Sequence, residues 1–193
     1  DFIKDFRKKL IEYDNLLSFN VIFRERTVDI GHLSIEDAID YGVTGPSARA
    51  SGFSCDVRKH HPYSAYPFIN FNEILDEKGD TFARYYCRIR EMHESLNIIE
   101  QLIDNIPEGD FAVKMKGVIK LPEGEFFQQV ESSKGVFGVF IISDGKKNPY
   151  RVKFRSPGFS NLFALNNMVK GFKIADLIAI MGSLDLVIPD IDR

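Results

Sequence analysis

Between residues 80 and 106 apolar side chains fall at Phe82, Tyr86, Ile89, Met92, Leu96, Ile99, Ile103 and Ile106, in steps of three or four, and Pro107 with Gly109 stops the run. This spacing predicts one helix of about 26 residues, close to ~40 Å long, enough to form the axis of a helical bundle. Beyond it the period changes from 3.6 to 2. Residues 111–118, 125–131 and 136–143 read as strands, and Asp144-Gly145 opens a turn into a further strand over 150–155. In that last strand Tyr150, Val152 and Phe154 should face one way and Arg151, Lys153 and Arg155 the other. The expected class is therefore α+β. A helical bundle over residues 1–108 is followed, over 109–193, by a small antiparallel sheet, a buried carboxy-terminal helix and a tail.

Two further helices flank this frame. Ile3, Phe6, Leu10, Tyr13 and Leu17 recur at helical spacing over 2–17, as on a helix packing one face on the core. Residues 162–181 are strongly apolar, with Leu165, Met168, Phe172, Leu177, Ile178 and Ile180, which predicts a helix buried on most sides. Ser34 with Asp37 reads as a capping box opening a short helix that Gly42 ends. Residues 42–66 hold Gly42, Gly45, Pro46, Gly52 and Pro62. They should form an ordered loop, since Phe53, Tyr63 and Tyr66 supply burial that a solvated linker lacks. A loop of that length in a compact chain is usually functional.

Composition narrows the chemistry. The 193 residues carry 25 basic and 28 acidic side chains, a formal charge of -3 that provides no overall attraction for nucleic acid. Residues 143–173 nonetheless gather Lys146, Lys147, Arg151, Lys153, Arg155, Lys170 and Lys173 against Asp144 alone, either a solvated sheet face or a surface for an acidic partner. The longest apolar run, 136–142, is far short of the roughly 20 residues of a membrane helix, so membrane association would run through partner subunits. Two cysteines, Cys55 and Cys87, are too few for a disulfide framework or a four-thiolate cluster. No spacing of His and Cys suggests a metal site, and no phosphate-binding or nucleophile-elbow motif is present. Arg49, Asp56, Arg58 and Lys59 in the loop, together with the acidic tail, stand as either ion-pair networks or groups that handle protons or an anion. An opening Asp1 in place of Met suggests a chain trimmed from something longer.

The loop carries a further signal. Thr44-Gly45-Pro46, Arg49, Ser51-Gly52, Asp56, Arg58-Lys59 and Pro62-Tyr63, preceded by Arg26 and Gly31, form a T-G-P-x-x-R-x-S-G-x-x-x-D-x-R-K-x-x-P-Y run. That run resembles the D-type large subunit of respiratory complex I, the proton-pumping NADH:quinone oxidoreductase. Gly79-Asp80, Arg84, Arg90-Glu91-Met92, Ser95, Ser143-Asp144-Gly145, Pro149-Tyr150-Arg151, Lys153, Pro157-Gly158-Phe159 and the tail 183–193 extend the likeness over nearly the whole chain.

The resemblance implies a fold similar to the large subunit of nickel-iron hydrogenases, whose tail carries two nickel-binding cysteines. Here Val187 and Asp190 stand at those positions, so the metal site is lost and its cavity is expected to receive a quinone headgroup, the substrate. Asp185, Val187, Asp190 and Arg193 are the implied cavity residues. Arg49, Asp56, Arg58, Lys59 and Lys134 are implied at the interface with a B-type subunit, which would carry a 4Fe-4S cluster. This chain itself would bind no cofactor. A C-type subunit and membrane-arm subunits complete the implied partners, at the cytoplasmic face of a bacterial membrane, or the matrix or stroma face in an organelle. Ser133 and Leu186 replace family prolines, and the 106–125 connection is short. The amino-terminal half that supplies other quinone contacts is missing, so this carboxy-terminal half alone should be inactive. A functional nickel-iron hydrogenase subunit and a purely structural subunit are the alternative readings.

Overall fold

A computed structural model describes residues 1–114, 117 and 119–192. The long helix is present as α6, Thr81–Ile103, ending a little before the expected Ile106. Asp80 caps it, accepting from Ala83 N at 2.7 Å, while its other oxygen accepts from Asp29 N at 2.9 Å and so ties a preceding turn to the helix start. α1, Phe2–Tyr13, lies along α6, where Arg7 Nη2 reaches Glu100 at 2.8 Å and Asn97 at 2.8 Å. A short π-helical turn, Asp14–Ser18, then leads to α2, Val21–Glu25. α3, Ile35–Asp40, starts as expected with Ser34 accepting from Asp37 N.

The segment 42–66 is not one irregular loop. It contains α4, Pro46–Arg49, and α5, Val57–His60, followed by a single 3-10 turn, Tyr66–Phe68. Pro46 at the first turn and Asp56 as a side-chain cap are local helix starters that the density of glycine and proline masks.

The sheet has three antiparallel strands in the order β1 (Gly124–Ser132), β2 (Gly135–Ser143) and β3 (Arg151–Arg155). β1 and β2 pair from Gly124↔Ser143 to Ser132↔Gly135 around the two-residue turn Ser133-Lys134. The strand expected over 111–118 is not formed at 111–114, and Met115, Lys116 and Val118 lie outside the described residues. Its alternation is real, but Phe111 and Val113 lie exposed, with no neighbouring strand to pair with among the described residues.

The alternation in β3 holds. Phe154 stacks on Phe137 at 6.1 Å on one face, while Lys153 stands in register with Phe140 and Phe127 on the other. The expected solvated basic face is only part of the account, because Arg155 turns inward. It donates to Thr44 Oγ1 at 2.9 Å, to Gly42 O at 2.7 Å and to Val136 O.

The single helix expected over 162–181 is two, α7 (Pro157–Met168) and α8 (Ile174–Ser183). The break has a capping cause: Asp176 accepts from Lys173 N at 3.1 Å, restarting the helix, and its carboxylate also pairs with Arg26 at 2.8 Å. Nor are these helices buried on most sides: Phe159, Phe163, Ile174 and Ile178 are exposed. Their inner face, Ala164, Met168, Ile180 and Leu184, packs with Leu33, Ala38, Val43 and Ala48 into one core. A last turn, α9 (Ile188–Ile191), ends the described chain. Among the described residues no helix is long and apolar enough to cross a membrane.

Candidate functional site

The site begins with a close approach of two backbones. At Gly45 φ is +72°, and a β-carbon there would stand 2.5 Å from Gly135 Cα. Gly135 in turn lies against Thr44, whose hydroxyl oxygen accepts from Val136 N at 3.1 Å. The β1–β2 turn is thereby seated on the start of α4.

That seating directs Arg49, the last residue of α4, toward both α6 and β1. Arg49 is 2% exposed. Its Nε donates to Glu91 Oε1 at 2.8 Å and its Nη1 to Glu131 Oε1 at 2.8 Å, so one guanidinium joins three elements. Burial alone would lower the pKa of Arg49, but Glu91 and Glu131 outweigh it and raise the value. Glu131, whose side chain is 3% exposed, also accepts from Val57 N at 3.3 Å. Burial pushes the Glu131 carboxyl above its ordinary range, since the cation that offsets it is shared with Glu91. A carboxyl raised in this way exchanges protons nearer neutrality than an exposed one.

Asp56 is buried beside it. It accepts from the backbone of Arg58 at 2.9 Å and pairs with the Arg58 guanidinium at 2.7 Å. Glu73 gathers the preceding turn, accepting from Cys55 N and Asp56 N at 2.9 Å each. Burial would raise the Asp56 carboxyl, but Arg58 and Arg49 hold it below its ordinary value of 3.8. Such a group stabilises the fold above its unfolded pKa, and the contribution is lost as pH falls through the lower folded value. Urea unfolding followed between pH 5 and pH 2 should therefore show stability falling with acid, and Asp56→Asn should flatten that slope; an unaltered slope would show that the Arg58 pair contributes nothing.

A cavity of about 440 Å³ opens against this network, with Arg49, Arg58, Arg88, Glu91, Glu131 and Asp185 in its walls. Lys134, in the hairpin turn, holds Asp185 Oδ2 at 2.6 Å, and Asp185 has a φ of +54°. The structure thus brings Arg49, Arg58 and Asp185 to one cavity, with Asp56 and Lys134 one ion pair behind them.

The other candidates lie elsewhere. Lys59 sits on the Phe71 ring at 4.0 Å. Val187 is partly exposed at the start of α9, and Asp190 accepts from Gly158 N at 2.9 Å, satisfying an amide in the first turn of α7. Arg193 lies outside the described residues. Sequence reasoning misses Arg88, which on α6 has the same spacing as its solvated neighbours. Cys55 and Cys87 are raised by burial to about 11 and about 12, so neither is a ready thiolate. Among the described residues no group of three or more His, Cys, Asp and Glu is placed to hold a metal ion.

Comparison with known proteins places a family on this geometry. The family model described as "Respiratory-chain NADH dehydrogenase, 49 Kd subunit" matches residues 1–193. The chain is 52% identical over 193 residues to the C/D-type subunit of the NADH-quinone oxidoreductase of Phocaeicola vulgatus, covering 100% of this chain and 37% of that protein. It is 53% identical over 192 residues to the corresponding C/D-type protein of Bacteroides fragilis, covering 100% of this chain and 36% of that one. With the D-type subunit of the NADH-quinone oxidoreductase of Desulfotalea psychrophila it shares 49% identity over 193 residues, 100% of this chain and 52% of that protein. The chain therefore spans between 36% and 52% of the length of these curated relatives.

Proposed function

Because this chain belongs to the family of the 49 kDa subunit of respiratory-chain NADH dehydrogenase, we propose that it is the carboxy-terminal part of the quinone-reducing subunit of an NADH:quinone oxidoreductase. In this reading it forms one wall of the quinone chamber beside a B-type iron-sulfur subunit, with C-type and membrane-arm subunits as further partners. The complex would sit peripherally at the cytoplasmic face of a bacterial membrane, or at its organellar counterpart. Its fold would be that of the nickel-iron hydrogenase large subunit, with the metal site lost. A 4Fe-4S cluster on the neighbouring subunit would supply the electrons. The two cysteines of this chain, Cys55 and Cys87, are fewer than the four thiolates such a cluster takes.

The observation that carries the proposal is the convergence of α4, α6, the β1–β2 turn and the tail on one cavity rich in ionisable groups. Reduction of a quinone consumes two protons for its two electrons, so the chamber needs carboxyls that can be reloaded and fixed cations that favour charge on a ring oxygen. Glu131 and Asp185 meet the first need; Arg49 and Arg58 meet the second.

The test is Asp185→Asn in the assembled, membrane-bound complex. We expect quinone-reductase turnover to fall by about tenfold or more, the scale of a lost proton-transfer group. Oxidation of the donor by an artificial acceptor upstream of the quinone should be unaffected. Unchanged turnover and inhibitor sensitivity would assign this chain a scaffolding role instead.

A further inference from the structure

The sheet leaves β3 open along one edge. β3 pairs with β2 from Gly138↔Arg155 to Ile142↔Arg151, and beyond that ladder no backbone group of Arg151–Arg155 has a backbone partner among the described residues. A strand edge of this kind turns alternate pairs of N–H and C=O groups outward and is a template for a further strand. The opposite edge of the sheet, β1, differs in chemistry, for it carries Glu125 and Glu131 and neither lysine nor arginine.

Side chains along β3 alternate between two kinds of surface. Arg151 and Lys153 are exposed on one face, and no ion pair engages either among the described residues, although nearby Lys146 is held by Asp144 at 2.6 Å. A cavity of about 450 Å³ lies on that face, with Phe127, Phe140, Arg151 and Lys153 in its walls. At the alternate positions Val152 is 41% exposed and Phe154 47%. A second cavity, of about 290 Å³, lies at the end of the strand, where Phe154 meets Phe159 and Ile191. Charged side chains on an edge strand can serve only to block pairing. Blocking does not account for the bare apolar side chains between the charges, nor for the hollows beside them.

These features select the occupant. Nucleic acid or a lipid headgroup would meet the cations but not the outward row of N–H and C=O groups, which another extended polypeptide satisfies. A second copy of this chain, pairing through the same edge, would set Arg151 and Lys153 against their own kind, and like charges placed opposite each other destabilise a strand pair. An acidic strand has neither defect. We propose that β3 is the docking edge for an extended acidic segment of another polypeptide. The segment adds as a fourth strand, with aspartate or glutamate side chains over Arg151 and Lys153 and apolar ones between them on Val152 and Phe154. Backbone bonds hold such a segment, and the alternation of acidic and apolar side chains selects it. The inference goes beyond the quinone-reducing role and does not depend on the cavity at Arg49.

Carbodiimide coupling of the assembled complex tests it, because the reagent joins an amine to a carboxylate only where the two are already in contact. Peptide mapping is expected to find Lys153 joined to an aspartate or glutamate of another polypeptide, in a stretch where acidic and apolar residues alternate. Hydrogen exchange resolved to single residues adds a readout specific to a strand. A free edge leaves alternate amides of residues 151–155 open to water, whereas a fourth strand slows them all. In the double variant Arg151→Glu with Lys153→Glu, the outward amides should exchange at least about tenfold faster than in the parent complex, and Lys153→Gln alone should fall between the two. Lys153 uncoupled, coupled only within this chain, or coupled to a stretch without that alternation would overturn the proposal. Free exchange at alternate β3 amides of the parent complex would do the same, as would exchange that the double variant leaves unaltered. The quinone-reducing role stands or falls separately, on Asp185→Asn.

Discussion

Arg49→Met should destabilise the folded chain by about 3–5 kcal/mol, the scale of a buried ion pair broken from one side. Methionine preserves much of the side-chain volume, so the loss is electrostatic. Glu91 and Glu131 are left facing the space that the guanidinium filled, and Glu131 has almost no access to water. Arg49→Lys should recover only part of the loss, since one ammonium cannot reproduce two separate donors held in a planar fork. The double variant Arg49→Met with Glu131→Gln should be more stable than Arg49→Met alone, because the uncompensated carboxylate has been removed. The pH dependence separates this account from simple loss of packing. In Arg49→Met the Glu131 carboxyl loses the cation that offsets burial, so its folded pKa rises further above the ordinary value of 4.5. A group raised in the folded state contributes stability that is fully present below its unfolded pKa and lost as pH rises through the folded one. The variant should therefore gain stability relative to the parent as pH is lowered from 7 to 4.5. Urea unfolding of the purified chain across that range measures it; a deficit that stays constant with pH would point to packing instead.

The importance of Arg49 is partly legible in the sequence. Its place in the loop motif marks it, along with Asp56, Arg58 and Lys59, as a candidate charge, but the motif supports an ion-pair network and a functional group equally. The structure shows that these are not exclusive: one guanidinium fastens three elements while its far side lines a cavity. Arg88 is not legible at all. On α6 it falls among Arg84, Arg90 and Glu91, in a pattern that a solvated helix face would also produce. Only packing of α6 against α8 and the tail buries Arg84, which spends its guanidinium on Ser183, Gly79 O, Gly31 O and Thr81. Long-range burial has no local periodicity to announce it. The expected 111–118 strand meets the same limit, since its alternation has no neighbour to pair with among the described residues, whereas the α7–α8 break has a local cause, Gly171 at φ +84° and the Asp176 cap, that the apolar residues on either side mask. Elements whose cause is local, such as α6 with its Asp80 cap and the β1–β2 hairpin, agree with the pattern to within a few residues.

Gly45→Ala should cost about 4 kcal/mol or more, more than any surface change in this chain. Gly45 combines φ +72° with ψ -155°, a region that side chains with a β-carbon essentially do not occupy. The added carbon would also meet Gly135 Cα at 2.5 Å, and this neighbour is backbone that cannot swing aside like a side chain. Relief requires the Ser133-Lys134 turn to lift from Thr44. Once it lifts, the Val136 amide loses its Thr44 acceptor, Arg155 loses the same oxygen, and Glu131 moves away from Arg49. The damage should therefore spread from one contact to the whole cavity, whose wall includes Ser132, Ser133 and Glu131. Amide exchange at Val136 should accelerate by more than the global loss of stability accounts for, and quinone-reductase turnover of the assembled complex should fall with it. Gly145→Ala is the control. Gly145 also has a positive φ, +75°, but a β-carbon there meets nothing within 4 Å, so backbone strain alone should cost about 1 kcal/mol and leave the cavity intact. Equal losses in the two variants, with exchange at Val136 unchanged, would show that the seating of the hairpin on α4 contributes little; a larger loss at Gly45 accompanied by faster exchange at Val136, which backbone strain at Gly45 alone would not produce, identifies the glycine-to-glycine contact as what holds the sheet against the helical half.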